Sequence, residues 1–317
     1  MPESLSIVVP VYNSEQSLPL LVRALEEALA DHGAPFELIL VNDGSRDQSW
    51  TVIQALVQRY TWITGIDLMR NYGQHNALLC GIRAAKHAVI ITMDDDLQHP
   101  PAEIPKLLAA LESGYDVVYG TPAREQHGLL RDLASQATKL ALQGAMGVQT
   151  ARKVSAFRAF RAEIRRAFQH YNSPYVSIDV LLTWGTTRFT AVTVEHAPRR
   201  FGRSNYTLRK LIVHTFNMLT GFSALPLQLA SLLGFAFTGF GALIFLYVIV
   251  RYLAEGGSVP GFPFLASIIA IFSGVQLFTL GIIGEYLARM HFRSMERPSS
   301  VVRQVVRHEV PMKEIEK

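Results

Sequence analysis

Three consecutive aspartates, Asp94-Asp95-Asp96, run into Leu97-Gln98-His99-Pro100 and form the most chemically loaded stretch of the chain. In an extended segment Asp94 and Asp96 point to one side and Asp95 to the other, because side chains alternate. Two carboxylates on one side repel unless a cation lies between them, and hard oxygen donors suit Mg²⁺ or Mn²⁺. Such ions usually also take oxygens from a substrate phosphate. Gln98 adds a potential oxygen ligand, whereas a lone histidine such as His99 is more often structural. The bland alternative is a solvated acidic turn ahead of a helix that starts at Pro101.

Three further polar clusters share this pattern: Pro10-Val11-Tyr12-Asn13 with Glu15, then Asn42-Asp43-Gly44-Ser45-Arg46-Asp47, then Arg70-Asn71-Tyr72-Gly73-Gln74-His75. Taken singly, Asn42–Ser45 reads as a turn and Asp47 as a helix N-cap. The elements that must position them are short apolar, β-branched runs at Leu5–Val11, Phe36–Val41, Ile63–Leu68, Ala88–Thr92 and Asp116–Gly120. Helical periodicity fills the gaps, at Leu18–Asp31, Gln48–Tyr60, Asn76–Ala85 and Pro101–Glu112. Strand–helix alternation with near-continuous apolar strands predicts a parallel sheet covered on both faces. Ligands of such sheets sit beyond the carboxyl ends of the strands, where these clusters converge.

The second half has another character. No Asp, Glu, Lys or Arg lies between Lys210 and Arg251, or between Glu255 and Glu285. Leu225–Val250 and Phe262–Gly284 each exceed the roughly 20 apolar residues that cross a bilayer core, so two transmembrane helices are expected. Arg199, Arg200, Arg203, Arg209 and Lys210 flank the pair on one side, and Arg289, Arg293, Arg297, Arg303 and Arg307 on the other. The positive-inside rule then places both flanks and both termini in the cytoplasm. Expected boundaries are a catalytic domain over 1–204, an interfacial segment over 205–224, a hairpin over 225–290 and a basic tail over 291–317.

Composition supports this division and closes off other classes. The 317 residues make about two domains at roughly 150 residues each. Hydrophobic residues are 49 % and charged ones 18 %, too apolar for a disordered chain. The single cysteine excludes a disulfide framework and a thiolate zinc site. A net charge of +4 is too mild to argue for nucleic acid as a partner.

Val9-Pro10-Val11-Tyr12-Asn13, Asn42-Asp43-Gly44-Ser45 with Asp47, and Asp94-Asp95-Asp96-Leu97-Gln98 resemble the GT-A glycosyltransferases of family 2. Asn71–His75 and Asp94–Pro101 with Glu103-Ile104-Pro105 are similar to its polyisoprenyl-phosphate branch, and that likeness covers nearly the whole chain. The resemblance implies an α/β GT-A fold, Rossmann-like with a mostly parallel sheet, followed by two transmembrane helices. It implies inverting transfer of a sugar from a nucleotide sugar, UDP-linked in the nearest likeness, to a polyprenyl phosphate, undecaprenyl phosphate in a bacterium. The setting would be the bacterial inner membrane, and the branch adds a homo-oligomer, tetrameric by the same likeness.

Roles follow residue by residue. Pro10, Tyr12, Asn13, Glu15, Asp43, Asp94 and Asp95 would bind the donor, while Asp94, Asp96 and Gln98 would hold Mg²⁺ or Mn²⁺. Asp94, Asp96 and Arg158 would serve catalysis. Arg199-Arg200-Phe201-Gly202-Arg203-Ser204-Asn205-Tyr206 matches the branch's phosphate motif, with Asn205 in place of its lysine. Arg199, Arg200, Ser204 and Tyr206 would then meet phosphates, as an arginine fork does. Ser155-Ala156-Phe157-Arg158 matches a further segment, but the aspartate often found six residues before that arginine is Arg152 here. Arginine stays protonated and cannot act as a base, so Arg152 is assigned to the acceptor phosphate. A processive polysaccharide synthase is disfavoured, because Trp50, Trp62 and Trp184 all lack a preceding arginine. The remaining alternatives are a non-catalytic membrane scaffold and a synthase of the dolichyl-phosphate, GDP-mannose type.

Overall fold

The computed structural model describes residues 3–122, 154–197, 225–255 and 261–308. Its first half repeats strand and helix: β1 (Leu5–Val11), α1 (Leu18–Leu29), β2 (Phe36–Asn42), α2 (Ser49–Arg59), β3 (Ile63–Leu68), α3 (Gln74–Ala84) and β4 (Val89–Thr92). A short 3₁₀ turn leads into α4 (Ile104–Glu112) and β5 (Val117–Pro122). Then come β6 (Arg158–Arg161), α5 (Ile178–Thr183) and β7 (Phe189–Val194), two long helices α6 (Leu225–Glu255) and α7 (Phe262–Ser294), and finally β8 (Val302–Arg307).

The eight strands form one sheet in the order β7-β5-β6-β4-β1-β2-β3-β8. Strands β1 to β4 are parallel to their neighbours among themselves, as are β5 and β7; β6 and β8 run antiparallel to theirs. Every residue of β1 is buried, as expected for a central strand covered on both faces. Ile7, Val9 and Val11 join a core with Leu21 and Leu25 of α1 and Ile53 and Val57 of α2. The buried positions of α1, at Leu18, Leu21, Val22, Leu25 and Leu29, follow the helical repeat. Each such side chain contributes about 1.5–3 kcal/mol by leaving water. On the opposite face α3 lies close to β1: a Cβ on Gly81 would stand 2.4 Å from Val8 Cγ1.

Contacts divide the chain into two units, Met1–Leu211 with Glu296–Lys317, and Ile212–Met295. The second unit is the helix pair, with apolar segments Pro226–Ala254 at mean hydropathy 2.2 and Ile271–His291 at 1.4, long enough to cross a membrane. Large side chains such as Phe235, Leu253 and Leu277 are exposed along it, which suits a lipid surroundings better than water. Inside the pair, Phe237 and Phe272 meet edge to face at 5.8 Å.

One expectation needs correction. The stretch 291–317, expected as a basic tail, instead completes α7 with its first residues and forms an edge strand on β3 at Val302–Arg307. Pairing satisfies the backbone groups that an unpaired β3 edge would expose. The expected interfacial segment 205–224 lies outside the described residues.

Candidate active site

The four clusters sit at the carboxyl ends of β1, β2, β3 and β4, where parallel pairing brings Val11 beside Asn42 and Asn42 beside Asp67. The first two loops are laced together. Asn13 takes a left-handed conformation (φ 56°), donates its N–H to Ser45 Oγ at 3.0 Å, and accepts the Arg46 N–H on Oδ1 at 2.8 Å. Glu15 accepts the Gln48 N–H at 2.8 Å, and Asp47 accepts the N–H groups of Glu15 and Ser49. Asn13 and Glu15, expected as donor ligands, therefore hold loop to loop in this arrangement.

Asp43 is buried and ties the second loop to the third, accepting the N–H groups of Tyr72 at 2.7 Å and Gly73 at 2.8 Å. Burial pushes its carboxyl above the ordinary range, against the two amide hydrogen bonds and the Arg70 charge. Gly44 follows with φ +64°, and a Cβ there would lie 2.6 Å from the Asn71 backbone nitrogen. Glycine is required on both counts.

These loops enclose a cleft of about 340 Å³, lined among others by Tyr12, Trp50, Asp67, Arg70 and Arg303. Tyr12 stands 39 % exposed at its wall. Behind it runs a polar chain: Asn42 Nδ2 donates to Asp67 Oδ1 at 2.7 Å, and Arg303 Nη1 reaches Asp67 Oδ2 at 3.3 Å. The sequence signals Asp67 as one charge inside an apolar strand, whereas Arg303 stands out only as one of the charges flanking the helix pair. Pro10, expected as a donor ligand, is buried within β1.

The acidic run is a turn, not an extended segment, with Leu97 at φ 60°. Strict alternation of the three carboxylates therefore does not apply. Asp94 Oδ1 accepts Gln74 Nε2 at 2.7 Å, Asp95 accepts the Ser14 hydroxyl, and Asp96 Oδ1 accepts the Gln98 N–H at 3.1 Å. Burial pushes the Asp95 carboxyl up to about 6; the Ser14 hydrogen bond opposes this, and the Asp96 charge adds to it. Gln98 Nε2 lies 3.3 Å from His196 Nε2, a neighbour that no local pattern announced. His99 stacks on Phe157 at 5.4 Å, and burial, with His196 next to it, lowers its pKa to about 4. His99 is thus a packed neutral ring.

Among the described residues, no group of three or more His, Cys, Asp or Glu is placed to hold a metal ion by itself. Two carboxylates and an amide oxygen nevertheless fit a cation that completes its shell with substrate phosphates. Arg158 corrects its expectation. Its guanidinium is only 2 % exposed, ion-paired with Asp179 and donating to Thr92 Oγ1 at 3.0 Å, while Tyr119 donates to the same Asp179 carboxylate. A buried pair of this kind fixes β6 against α5 and holds the guanidinium in the interior, its charge paired with Asp179. Arg152, Arg199, Arg200, Ser204 and Tyr206 lie outside the described residues.

A mixed sheet with its polar loops at the carboxyl ends of the parallel strands and an acidic turn after β4 is the GT-A arrangement. The family model described as Glycosyl transferase family 2 matches residues 6–171, and the chain belongs to that family. An undecaprenyl-phosphate 4-deoxy-4-formamido-L-arabinose transferase of Pseudomonas fluorescens is 39 % identical over 95 % of this chain and 90 % of its own length. A protein of the same description from Yersinia enterocolitica is 36 % identical over 96 % and 94 %. In fold, the chain is similar to glucosyl-3-phosphoglycerate synthase of Mycobacterium tuberculosis, solved with Mn²⁺, UDP-glucose and phosphoglyceric acid. That similarity has a TM-score of 0.51 at 18 % identity, over 69 % of this chain and 78 % of that one.

Proposed function

We propose that this glycosyltransferase moves a sugar from a UDP-linked donor to undecaprenyl phosphate at the cytoplasmic face of a bacterial membrane. The observation that carries the reading is the extent of the likeness. Relatives described as undecaprenyl-phosphate transferases match 95 % of the chain, helix pair included, rather than the sheet unit alone. The donor's base would occupy the cleft over β1, β2 and β3, and its diphosphate the acidic turn after β4. Asp94, Asp96 and Gln98 would hold Mg²⁺ or Mn²⁺, which supplies positive charge against that developing on the leaving diphosphate.

In the step itself an oxygen of the lipid phosphate attacks the anomeric carbon from the side opposite the diphosphate. The new C–O bond forms as the old one breaks, its electron pair leaves with the nucleoside diphosphate, and the anomeric configuration inverts. A phosphate is already ionised near neutral pH, so the acceptor needs positioning more than a base. Arg152, where the family branch often has aspartate, suits that task, with Arg199, Arg200, Ser204 and Tyr206 on the same acceptor side. Connectivity supports the topology: the helix pair leaves the sheet unit after Leu211 and returns to it at Glu296. Two crossings bring the chain back to its starting side, and the flanking arginines make that side the cytoplasm.

The test is mass spectrometry of lipid-linked products formed by the purified protein from undecaprenyl phosphate, Mn²⁺ and a panel of UDP- and GDP-sugars. The panel includes the formamido-arabinose donor implied by the relatives' description. A glycosyl phospholipid from a UDP-sugar is expected. Nucleotide binding without any lipid product would favour a scaffold, and a product from GDP-mannose alone would favour the dolichyl-phosphate type of synthase.

A further inference from the structure

We infer that Arg303, on the strand that follows the helix pair, reads the base of the donor nucleotide and sets its selectivity. The inference rests on the donor reading above. Strand β8 pairs with β3 through Thr64–Leu68, and the Met69 N–H continues the ladder to the Val301 carbonyl at 2.9 Å. This register carries Arg303 to the carboxyl end of β3, where it lines the cleft with Tyr12, Met69, Arg70 and Asn71.

Two contacts fix the side chain. Nη1 lies 3.3 Å from the buried Asp67 carboxylate, and Nη2 donates to the Met69 carbonyl at 2.9 Å. Asp67 is itself held by Asn42, so the guanidinium rests on a braced support. A guanidinium carries five N–H groups in one plane, and these two contacts leave three for a ligand. The side chain remains 56 % exposed.

The surroundings suit a flat heterocycle. Tyr12 and Met69 present exposed aromatic and thioether surface at the cleft, and Trp50 lines it too. Position in the sheet separates base from phosphate. In the order β4-β1-β2-β3-β8, the acidic turn ends β4 and Arg303 lies beyond β3. At about 4.8 Å per strand this is well over 10 Å, more than a phosphate on the cation could span. The acceptor facing Arg303 is therefore a carbonyl on the base edge, as in uracil. A base presenting an amino group there, as cytosine does, would set donor against donor.

The experiment is calorimetric titration of the full-length protein in detergent, with Mn²⁺, against UDP, CDP and inorganic pyrophosphate. Wild type is expected to prefer UDP. Arg303→Ala should weaken UDP at least 10-fold, level the preference over CDP, and leave pyrophosphate unchanged. Arg303→Lys keeps the stem and charge but not the planar fork, and decides the matter if the alanine variant unfolds. It too should lose the UDP preference. Unchanged UDP affinity in Arg303→Lys, or parallel loss of UDP and pyrophosphate, overturns the inference. Failure of wild type to bind any nucleoside diphosphate would instead overturn the donor reading itself.

Discussion

The loops after β1, β2 and β3 and the turn after β4 share one edge of the sheet but differ in how much charge they concentrate. In the first region carboxylates and amides satisfy each other: Asp43 holds Tyr72 and Gly73, Asn13 holds Arg46, and Glu15 holds Gln48. In the second, three carboxylates share one turn, each with a partner of its own (Gln74, the Ser14 hydroxyl and the Gln98 N–H), and burial, with the Asp96 charge, pushes Asp95 up to about 6. Groups that satisfy one another build a cleft before any ligand arrives. Three carboxylates in one turn concentrate negative charge that suits a cation. On the reading proposed above, the donor site is preformed over the base and depends on a cation at the diphosphate.

The strongest way to break this contrast is to remove charge from the acidic turn. Asp96→Asn should lower the transfer rate by about 10²–10³-fold, the scale of losing one transition-state stabiliser, while the melting temperature without cation holds or rises. Steady-state transfer and thermal unfolding of the same preparation check both. Retained transfer would remove Asp96 from the cation.

Damage to the preformed half should read differently. Gly44→Ala places a Cβ 2.6 Å from the Asn71 nitrogen at a left-handed φ. A cost of roughly 1–3 kcal/mol is expected, with weaker UDP binding whether or not cation is present. Denaturant unfolding and titration without Mn²⁺ measure it.

Asp95→Asn sharpens the contrast through pH. Well below pH 3.8 the Asp95 carboxyl is protonated in folded and unfolded chains alike and costs nothing. Its folded pKa, about 6, exceeds the ordinary carboxylate value of 3.8, so stability falls as pH rises through that window and stays lower above it. His99 works in the opposite direction: its pKa is lowered from 6.5 to about 4, so its share of stability is lost as pH falls through that range. The difference between wild type and Asp95→Asn isolates the aspartate. The variant should gain about 1–3 kcal/mol on wild type at pH 7.5 and almost nothing at about pH 2.5, without cation. A flat difference would show that Asp95 carries no buried charge.

The smallest effect concerns the link between the halves. Ser14 donates its N–H to Ser49 Oγ in the laced region and its hydroxyl to Asp95 in the turn. Ser14→Ala should cost about 1 kcal/mol in unfolding and shift the Mn²⁺ dependence of UDP binding by a few-fold.

Much of this arrangement is legible in the sequence, and for a local reason. β1 to β5 follow from runs of β-branched residues, and the polar clusters from their place at the ends of those runs. Readings fail where a partner is distant. β8 has six residues, mostly exposed, and acquires strand structure by pairing with β3 across more than two hundred positions. Arg158 looks like a phosphate ligand until Asp179, 21 residues on, is seen to neutralise it in the core. The acidic run misleads in another way: its chain turns, and alternation holds only for an extended backbone.

A two-part donor site is tested most directly by titrating the full-length protein with uridine and with UDP, each with and without Mn²⁺. The preformed cleft predicts that uridine binds equally well in both conditions. UDP should gain at least 10-fold from the cation, since the acidic turn is completed only with the diphosphate. Uridine binding that requires Mn²⁺, or UDP binding indifferent to it, would contradict the division between the two halves.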